Sequence, residues 1–321
     1  HGKLCLWIRE KSLFSLRRVF CGIIRSNLKE GNFWSSWSPL EKGNRFSYLS
    51  LEETLVGGQC FDWHEIEKSC WRGKIEESVV ECRWKNNRVE WRCGKTKPLD
   101  ELKIKEYFWL GEDYDEAIRT LPCRSDPVLE KCVRKLQGLR ILRQPLDQSL
   151  FFFLLSSAKS IPQIQAVGKA VFQKYGDRLF EDIYSFPGWD RLAEIPESEL
   201  RSLKLGYRAK YVAESARFIS SRSDWLESIP DMSYENAKKE LLRLPGVGEK
   251  VADCALLFGG NFLEAFPIDT WIEKSMEKRY LLHGWNTKQK LHFAKIHFGR
   301  FAGLAQQFLF SAERLKIFND H

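Results

Sequence analysis

The nine cysteines of this 321-residue chain include no C-x-x-C pair. That spacing marks zinc sites and dithiol redox motifs, so neither these nor a disulfide framework is suggested. Scattered thiols of this kind fit a reducing interior. No cysteine follows Cys254, which leaves nothing near the C-terminus to hold a four-cysteine iron–sulfur cluster. Long apolar runs are missing too. The longest fully aliphatic and aromatic run, Leu150 to Leu155, is far short of the roughly 20 residues a bilayer needs. No membrane partner is expected. No internal repeat or low-complexity tract stands out.

Net charge is +8, but it is unevenly placed. Residues 1–30 hold Lys3, Arg9, Lys11, Arg17, Arg18, Arg25 and Lys29 against Glu10 and Glu30, which accounts for +5. Overall basicity is therefore weak support for nucleic-acid binding. Leu13, Leu16, Phe20, Ile23 and Ile24 lie among those basic residues. The segment reads either as an organelle-targeting helix or as a frayed extension. It is set aside from the fold.

The remaining length holds two or three modest domains. Val80, Cys82 and Trp84 alternate with Glu81 and Arg83. After a Lys85-Asn86-Asn87 turn, Val89, Trp91 and Cys93 alternate with Glu90 and Arg92. This predicts an antiparallel hairpin with one apolar and one charged face. Further strands are predicted over Ser47–Val56 and Trp71–Ile75. From Lys95-Thr96-Lys97-Pro98 onward the pattern turns helical. Helices are predicted over 99–110, 126–142, 146–157, 164–175, 209–221 and 288–315. The class is α+β, a small antiparallel sheet followed by a mostly helical region. The domain reading is a basic extension over 1–30, a sheet domain with the first helices over 31–145, and a helical catalytic domain over 146–321.

One stretch organises the helical part. Ser233 starts a helix carrying Ala237, Leu241 and Leu242 at helical spacing. Leu244-Pro245-Gly246-Val247-Gly248 breaks it, and a second helix follows over 250–258. A hairpin of this kind (233–258) presents unpaired N–H groups at the second helix start, a seat for phosphate. Lys250 lies in that helix's first turn. Downstream, Phe266-Pro267-Ile268-Asp269 is an apolar approach ending in a carboxylate.

At these residues the chain resembles the helix-hairpin-helix DNA glycosylases, and more closely the 8-oxoguanine DNA glycosylase/lyases. The resemblance extends to Gly57-Gly58-Gln59-Cys60-Phe61-Asp62-Trp63, to Leu205-Gly206-Tyr207-Arg208-Ala209-Lys210-Tyr211, and to Ala305-Gln306-Gln307-Phe308-Leu309-Phe310-Ser311-Ala312. The four pieces stand in family order. The activity implied is base excision repair, in which one site removes 8-oxoguanine from duplex DNA and then nicks the strand.

An amine nucleophile must be neutral, and desolvation together with a helix N-terminus favours that form. The resemblance makes Lys250 this nucleophile; otherwise it reads as a surface lysine. Asp269 would stabilise the cationic sugar or shuttle a proton, and it also suits a helix N-cap. The lesion pocket implied has Phe310 stacking on the base and Gln306 reading its Watson–Crick edge. Cys254 and Pro267 complete its walls, and the Gly58 carbonyl accepts from the lesion's N7–H. Cys254, one turn from Lys250, would pair with it as a thiolate in a dipole. Phe310 and Cys254 also read as plain core, and Gly58 as a strand-end turn.

DNA contacts implied are Gly246, Gly248 and Val251 of the hairpin, Tyr207 as a wedge, and Arg208 at the estranged base. Here the chain departs from its relatives. Ala158-Lys159-Ser160 stands where they have three asparagines, Gln163 where they have a second arginine, and Trp271 where they have a histidine. A relaxed preference for cytosine opposite the lesion is therefore expected, with Lys159 offering a phosphate contact. No metal is required, although a cation bridging hairpin carbonyls of 246–251 to phosphate stays open. The expected partner is double-stranded DNA containing oxidised guanine, bound by a monomer located with the genome. A non-catalytic DNA-binding module and an alkylated-base glycosylase remain as alternatives. The second generally lacks the hairpin lysine.

Overall fold

The structure, a computed structural model, describes residues 33–40 and 46–318. The basic segment over 1–30, with both readings of it, lies outside the described residues.

Strand β1 (Ser38–Pro39) is followed by helix α1 (Tyr48–Val56). This helix replaces the strand predicted over Ser47–Val56. Ser50 N donates to Ser47 Oγ at 3.0 Å and Ser47 N donates to Ser50 Oγ at 2.9 Å. That reciprocal cap satisfies two otherwise orphaned donors. Leu51 and Leu55, one turn apart, are both fully buried against the sheet. The apolar period here is that of a helix.

The sheet continues with β2 (His64–Glu67), β3 (Cys70–Ile75), β4 (Ser78–Lys85) and β5 (Arg88–Cys93). It is antiparallel with order β1-β5-β4-β3-β2. The predicted hairpin forms in register, with Cys82 opposite Trp91 and Glu81 opposite Arg92. Asn86 and Asn87 both take positive φ, 51° and 56°, the geometry that a two-residue hairpin turn requires. The charged face is itself covered. Glu81 is fully buried and accepts from Arg72 Nε at 2.8 Å and Arg92 Nε at 2.6 Å. The Arg92 guanidinium lies 4.8 Å from the Trp34 ring.

Helices α2 (Glu101–Tyr107), α3 (Glu112–Thr120), α4 (Pro127–Lys135), α5 (Leu146–Leu155) and α6 (Ile161–Tyr175) follow. The predicted 126–142 helix stops at Lys135, and the chain then turns at Gly138, φ +90°. The apolar run noted above is the heart of α5, buried on every side, and belongs at the centre of the larger core. Helices α3 and α4 contribute to that core, whereas α2 packs with the sheet.

A two-stranded ribbon, β6 (Arg178–Phe180) and β7 (Ile183–Tyr184), interrupts the predicted all-helical region. Its Phe180 stacks on Phe33 beside the sheet's charged face. Then come α7 (Trp189–Ala193), α8 (Glu197–Leu200), α9 (Arg208–Ser220), α10 (Trp225–Ser228), α11 (Tyr234–Leu241), α12 (Glu249–Phe258), α13 (Thr270–Lys278), α14 (Thr287–Phe298) and α15 (Ala302–Arg314). The single helix predicted over 288–315 is therefore two, broken at Gly299, φ +65°. The break turns α15 so that it runs through the core beside α13, with Ala305, Phe308 and Leu309 fully buried. Among the described residues, no helix is long and apolar enough to cross a membrane.

Candidate active site

The hairpin joining α11 to α12 is rigidly built. Ser233 Oγ caps α11 by accepting from Asn236 N at 3.4 Å. Gly246 takes φ +81°, and a Cβ there would strike the Tyr211 ring of α9 at 2.4 Å. Gly248 is the N-cap of α12 and has open space where a Cβ would point. The first intrahelical bond runs from Ala252 N to Gly248 O, 2.9 Å. The hairpin thus places free amides on an open surface. From behind, the buried Asp253 carboxylate accepts from Tyr234 Oη at 2.5 Å and from Lys238 Nζ at 3.0 Å, which ties α11 to α12.

Lys250 enters a cavity of about 1060 Å³ between the sheet side of the molecule and the helical core. Its Nζ donates to Ser156 Oγ at 3.2 Å and sits 5.4 Å from the Phe153 ring. Phe153 and Phe258 stack at 5.5 Å, which seats α12 on α5. Asp269 lines the same cavity as the N-cap of α13. Its Oδ1 accepts from Trp271 N at 3.0 Å and Ile272 N at 2.9 Å. Burial raises the Asp269 carboxyl above the ordinary carboxylate range, while those two N–H donors and the charge of Lys250 pull the other way.

The remaining wall comes from distant parts of the chain. Gly58, at φ +110°, approaches α6 so closely that a Cβ would meet Ile161 Cδ1 at 2.8 Å and Phe310 Cζ at 3.9 Å. Gln59 fixes this loop, donating from Nε2 to Arg140 O and accepting from Leu142 N, both at 2.8 Å. Gln306 is 4% exposed and donates to Pro267 O at 3.2 Å, while its Oε1 has no partner. That oxygen is itself shielded from solvent, although the residue borders the cavity. Burial pushes the Cys254 thiol up to about 12, despite the opposing charge of Lys250. The expected ammonium–thiolate dipole is therefore disfavoured here, because removing the sulfur from water costs the thiolate more than the lysine returns.

Gly58, Lys250, Cys254, Pro267, Asp269, Gln306 and Phe310 thus share one cavity, together with Ala158, Lys159, Gly246, Gly248, Val251 and Trp271. Gln163, Tyr207 and Arg208 are not part of its lining. Gln163 Oε1 instead accepts from Ser160 N at 2.9 Å, capping α6. Tyr207 is 49% exposed and hydrogen-bonds through Oη with Ser157 Oγ at 3.1 Å. Arg208 is only 5% exposed, folds back to donate to Ser157 O, and lies 4.3 Å from the Tyr207 ring. Sequence reasoning misses Ser156. Its one signal is its place directly after the apolar run that becomes α5.

Residues 44–150 match the family described as 8-oxoguanine DNA glycosylase, N-terminal domain. Residues 153–295 match the HhH-GPD superfamily of base excision DNA repair proteins. The N-glycosylase/DNA lyase OGG1 of Arabidopsis thaliana is 30% identical over 296 residues, covering 86% of this chain and 80% of that protein. The N-glycosylase/DNA lyase of Saccharomyces cerevisiae is 29% identical over 318 residues, covering 83% and 84%. A crystal structure of Clostridium acetobutylicum 8-oxoguanine glycosylase/lyase with double-stranded DNA containing cytosine opposite 8-oxoG is 31% identical. It superposes with a TM-score of 0.77 over 88% of this chain and 99% of that one. Fold, hairpin and sequence agree, and the chain belongs to the 8-oxoguanine DNA glycosylase family of the helix-hairpin-helix base excision repair superfamily.

Proposed function

We propose that this chain is a DNA glycosylase/lyase that excises 8-oxoguanine from duplex DNA and then cleaves the strand at the resulting site. The observation that carries this reading is the meeting of Lys250 and Asp269 with Gly58, Gln306 and Phe310 in one cavity. An everted nucleotide placed there has its sugar beside the amine and its base between the remaining three. Neutral Lys250 attacks C1′, and the glycosidic electron pair leaves with the base. The Asp269 carboxylate stabilises positive charge on the sugar as it develops. The amine sheds its protons as the C1′–O4′ bond opens and O4′ takes one up, which gives an imine at C1′; that imine acidifies C2′–H, and loss of this proton expels the 3′ phosphate. Gln306 Oε1 accepts a base N–H, Phe310 stacks on the ring, and the Gly58 carbonyl favours the N7–H that only the oxidised purine has.

The hairpin amides of residues 246–251 are the proposed phosphate seat, with Lys159 and Trp271 along the same groove and Tyr207 as the wedge. Action as a monomer, located with the genome, is part of this proposal. With Gln163 occupied as a cap and Arg208 turned toward Ser157, the reading of the opposite base is weakly equipped. Excision rates are therefore expected to differ little among duplexes carrying each of the four bases opposite the lesion. A steep preference for cytosine would remove this part of the proposal.

The test of the reaction is single-turnover kinetics with base release and strand nicking scored separately. Lys250→Gln keeps lesion binding and loses both activities. Base release by this variant at near-normal rate would show that another group attacks. A second reading rests on a 25% identical Bacillus subtilis relative named DNA-3-methyladenine glycosylase. Assaying alkylated beside oxidised bases separates the two, and the lysine in the cavity favours oxidised purines with nicking.

A further inference from the structure

We propose that Glu53 and Arg314 form a clasp that sets the width of the base pocket. The inference rests on the roles proposed above for Gly58 and Phe310. Glu53 lies in α1, one turn before Gly57-Gly58, and is 1% exposed. Arg314 ends α15, one turn after Phe310 on the same helix, and borders the cavity. The pair is two-pronged. Arg314 Nε donates to Glu53 Oε1 at 3.2 Å, and Nη2 donates to Oε2. Such a fork fixes both distance and angle between its two carriers.

The two glycines have separate reasons. Gly58 has the positive φ and the approach to Ile161 and Phe310 already described. Gly57, at φ −76°, has a backbone that any residue adopts. Its missing side chain makes room for the turn and for the clasp alike, because a Cβ would lie 2.2 Å from the Glu53 carbonyl oxygen and 2.6 Å from the Glu53 carboxylate. The Glu53 carbonyl also accepts from Gly57 N at 3.0 Å. The ion pair is thus connected through one turn of α1 to the Gly58 carbonyl, and through one turn of α15 to the Phe310 ring. Releasing it widens the gap that the oxidised base must fill. Glu53 and Arg314 are positioning residues, and neither is assigned a contact with the reacting atoms.

An abasic duplex separates this role from general destabilisation, since cleaving it uses Lys250 and Asp269 but no base. Arg314→Met is expected to slow 8-oxoguanine excision about tenfold or more, the scale of an ångström-sized misplacement. Abasic nicking should stay within about twofold of the unaltered protein, since no transition-state contact to the sugar is removed. One buried charge left alone destabilises a fold, so Glu53→Met combined with Arg314→Met is the second variant. It should unfold near the normal temperature and keep the excision defect. Gly57→Ala, which leaves both charges in place, should show the same split. A parallel fall of both activities, unchanged excision, or recovery of excision in the double variant would overturn the clasp. Absence of base release by the unaltered protein would instead overturn the function itself.

Discussion

The two sides of the site are prepared to different degrees. On the proposed lesion side, Lys250, Asp269 and Gln306 are each held by hydrogen-bond partners and line one cavity with Gly58. Asp269 is fixed by two helix N–H groups. Gln306 is anchored through its nitrogen and keeps a bare oxygen. On the side proposed to face the opposite strand, Arg208 is folded onto a backbone carbonyl and an aromatic ring, and Gln163 is spent on a helix cap. The first side is built before DNA arrives and needs little reorganisation on binding. The second must rearrange before it can read anything. Chemistry and opposite-base choice should therefore respond to mutation separately.

Asp269→Asn tests the prepared side most severely. Loss of this electrostatic stabilisation is expected to lower base release by about 10²–10³-fold. The same residue sets a pH limb. Its carboxyl is raised by burial, so the ionised form is lost on acidification at a higher pH than for an ordinary carboxylate. The excision rate of the unaltered protein should fall as pH drops through that region, and the Asp269→Asn variant should lose that contribution, the amine's own need to be neutral acting on both proteins alike. A rate flat from neutral to mildly acid pH would contradict the assignment. Next in size, Phe310→Ala should cost about 1–3 kcal/mol of lesion binding, while abasic nicking persists. Equal losses on both substrates would place Phe310 in the fold and not in recognition.

On the other side, Arg208→Ala should change excision opposite cytosine only severalfold, about 1 kcal/mol or less, because its guanidinium must first leave its present partners. A hundredfold loss would mean that the arginine is already committed to DNA reading. The smallest effect expected is at Ala158, which turns the chain between α5 and α6 at φ +51°. Ala158→Gly relieves a left-handed residue and should raise thermal stability by about 1 kcal/mol or less, the steric gain being partly offset by added chain entropy. A lowered melting temperature would show that the methyl group packs.

Much of this is legible in local pattern. Alternation and the Asn86-Asn87 turn locate the hairpin strands, because a pleated strand's period and a turn's positive φ are written residue by residue. The Pro-Gly break, Lys250 and the Asp269 cap are readable for the same reason. Helix α1 reads as a strand because its start is a Ser47–Ser50 pair without the usual acidic partner, and its apolar residues also fit alternation. The 288–315 helix hides its break because a glycine within a helical pattern does not announce its φ. Gln306 and Phe310 come from resemblance, as no spacing brings α15 against Gly58. That meeting is made by core packing around α5. Ser156, Glu53 and Arg314 are invisible for the same cause, since their partners lie 94 and 261 residues away.

Borohydride reduction during turnover, followed by peptide mapping of the protein–DNA adduct, tests the chemistry most directly. A covalent adduct on Lys250, absent from Lys250→Gln protein, is the predicted result. An adduct mapped to another amine such as Lys159, or no adduct while 8-oxoguanine is released, would contradict it.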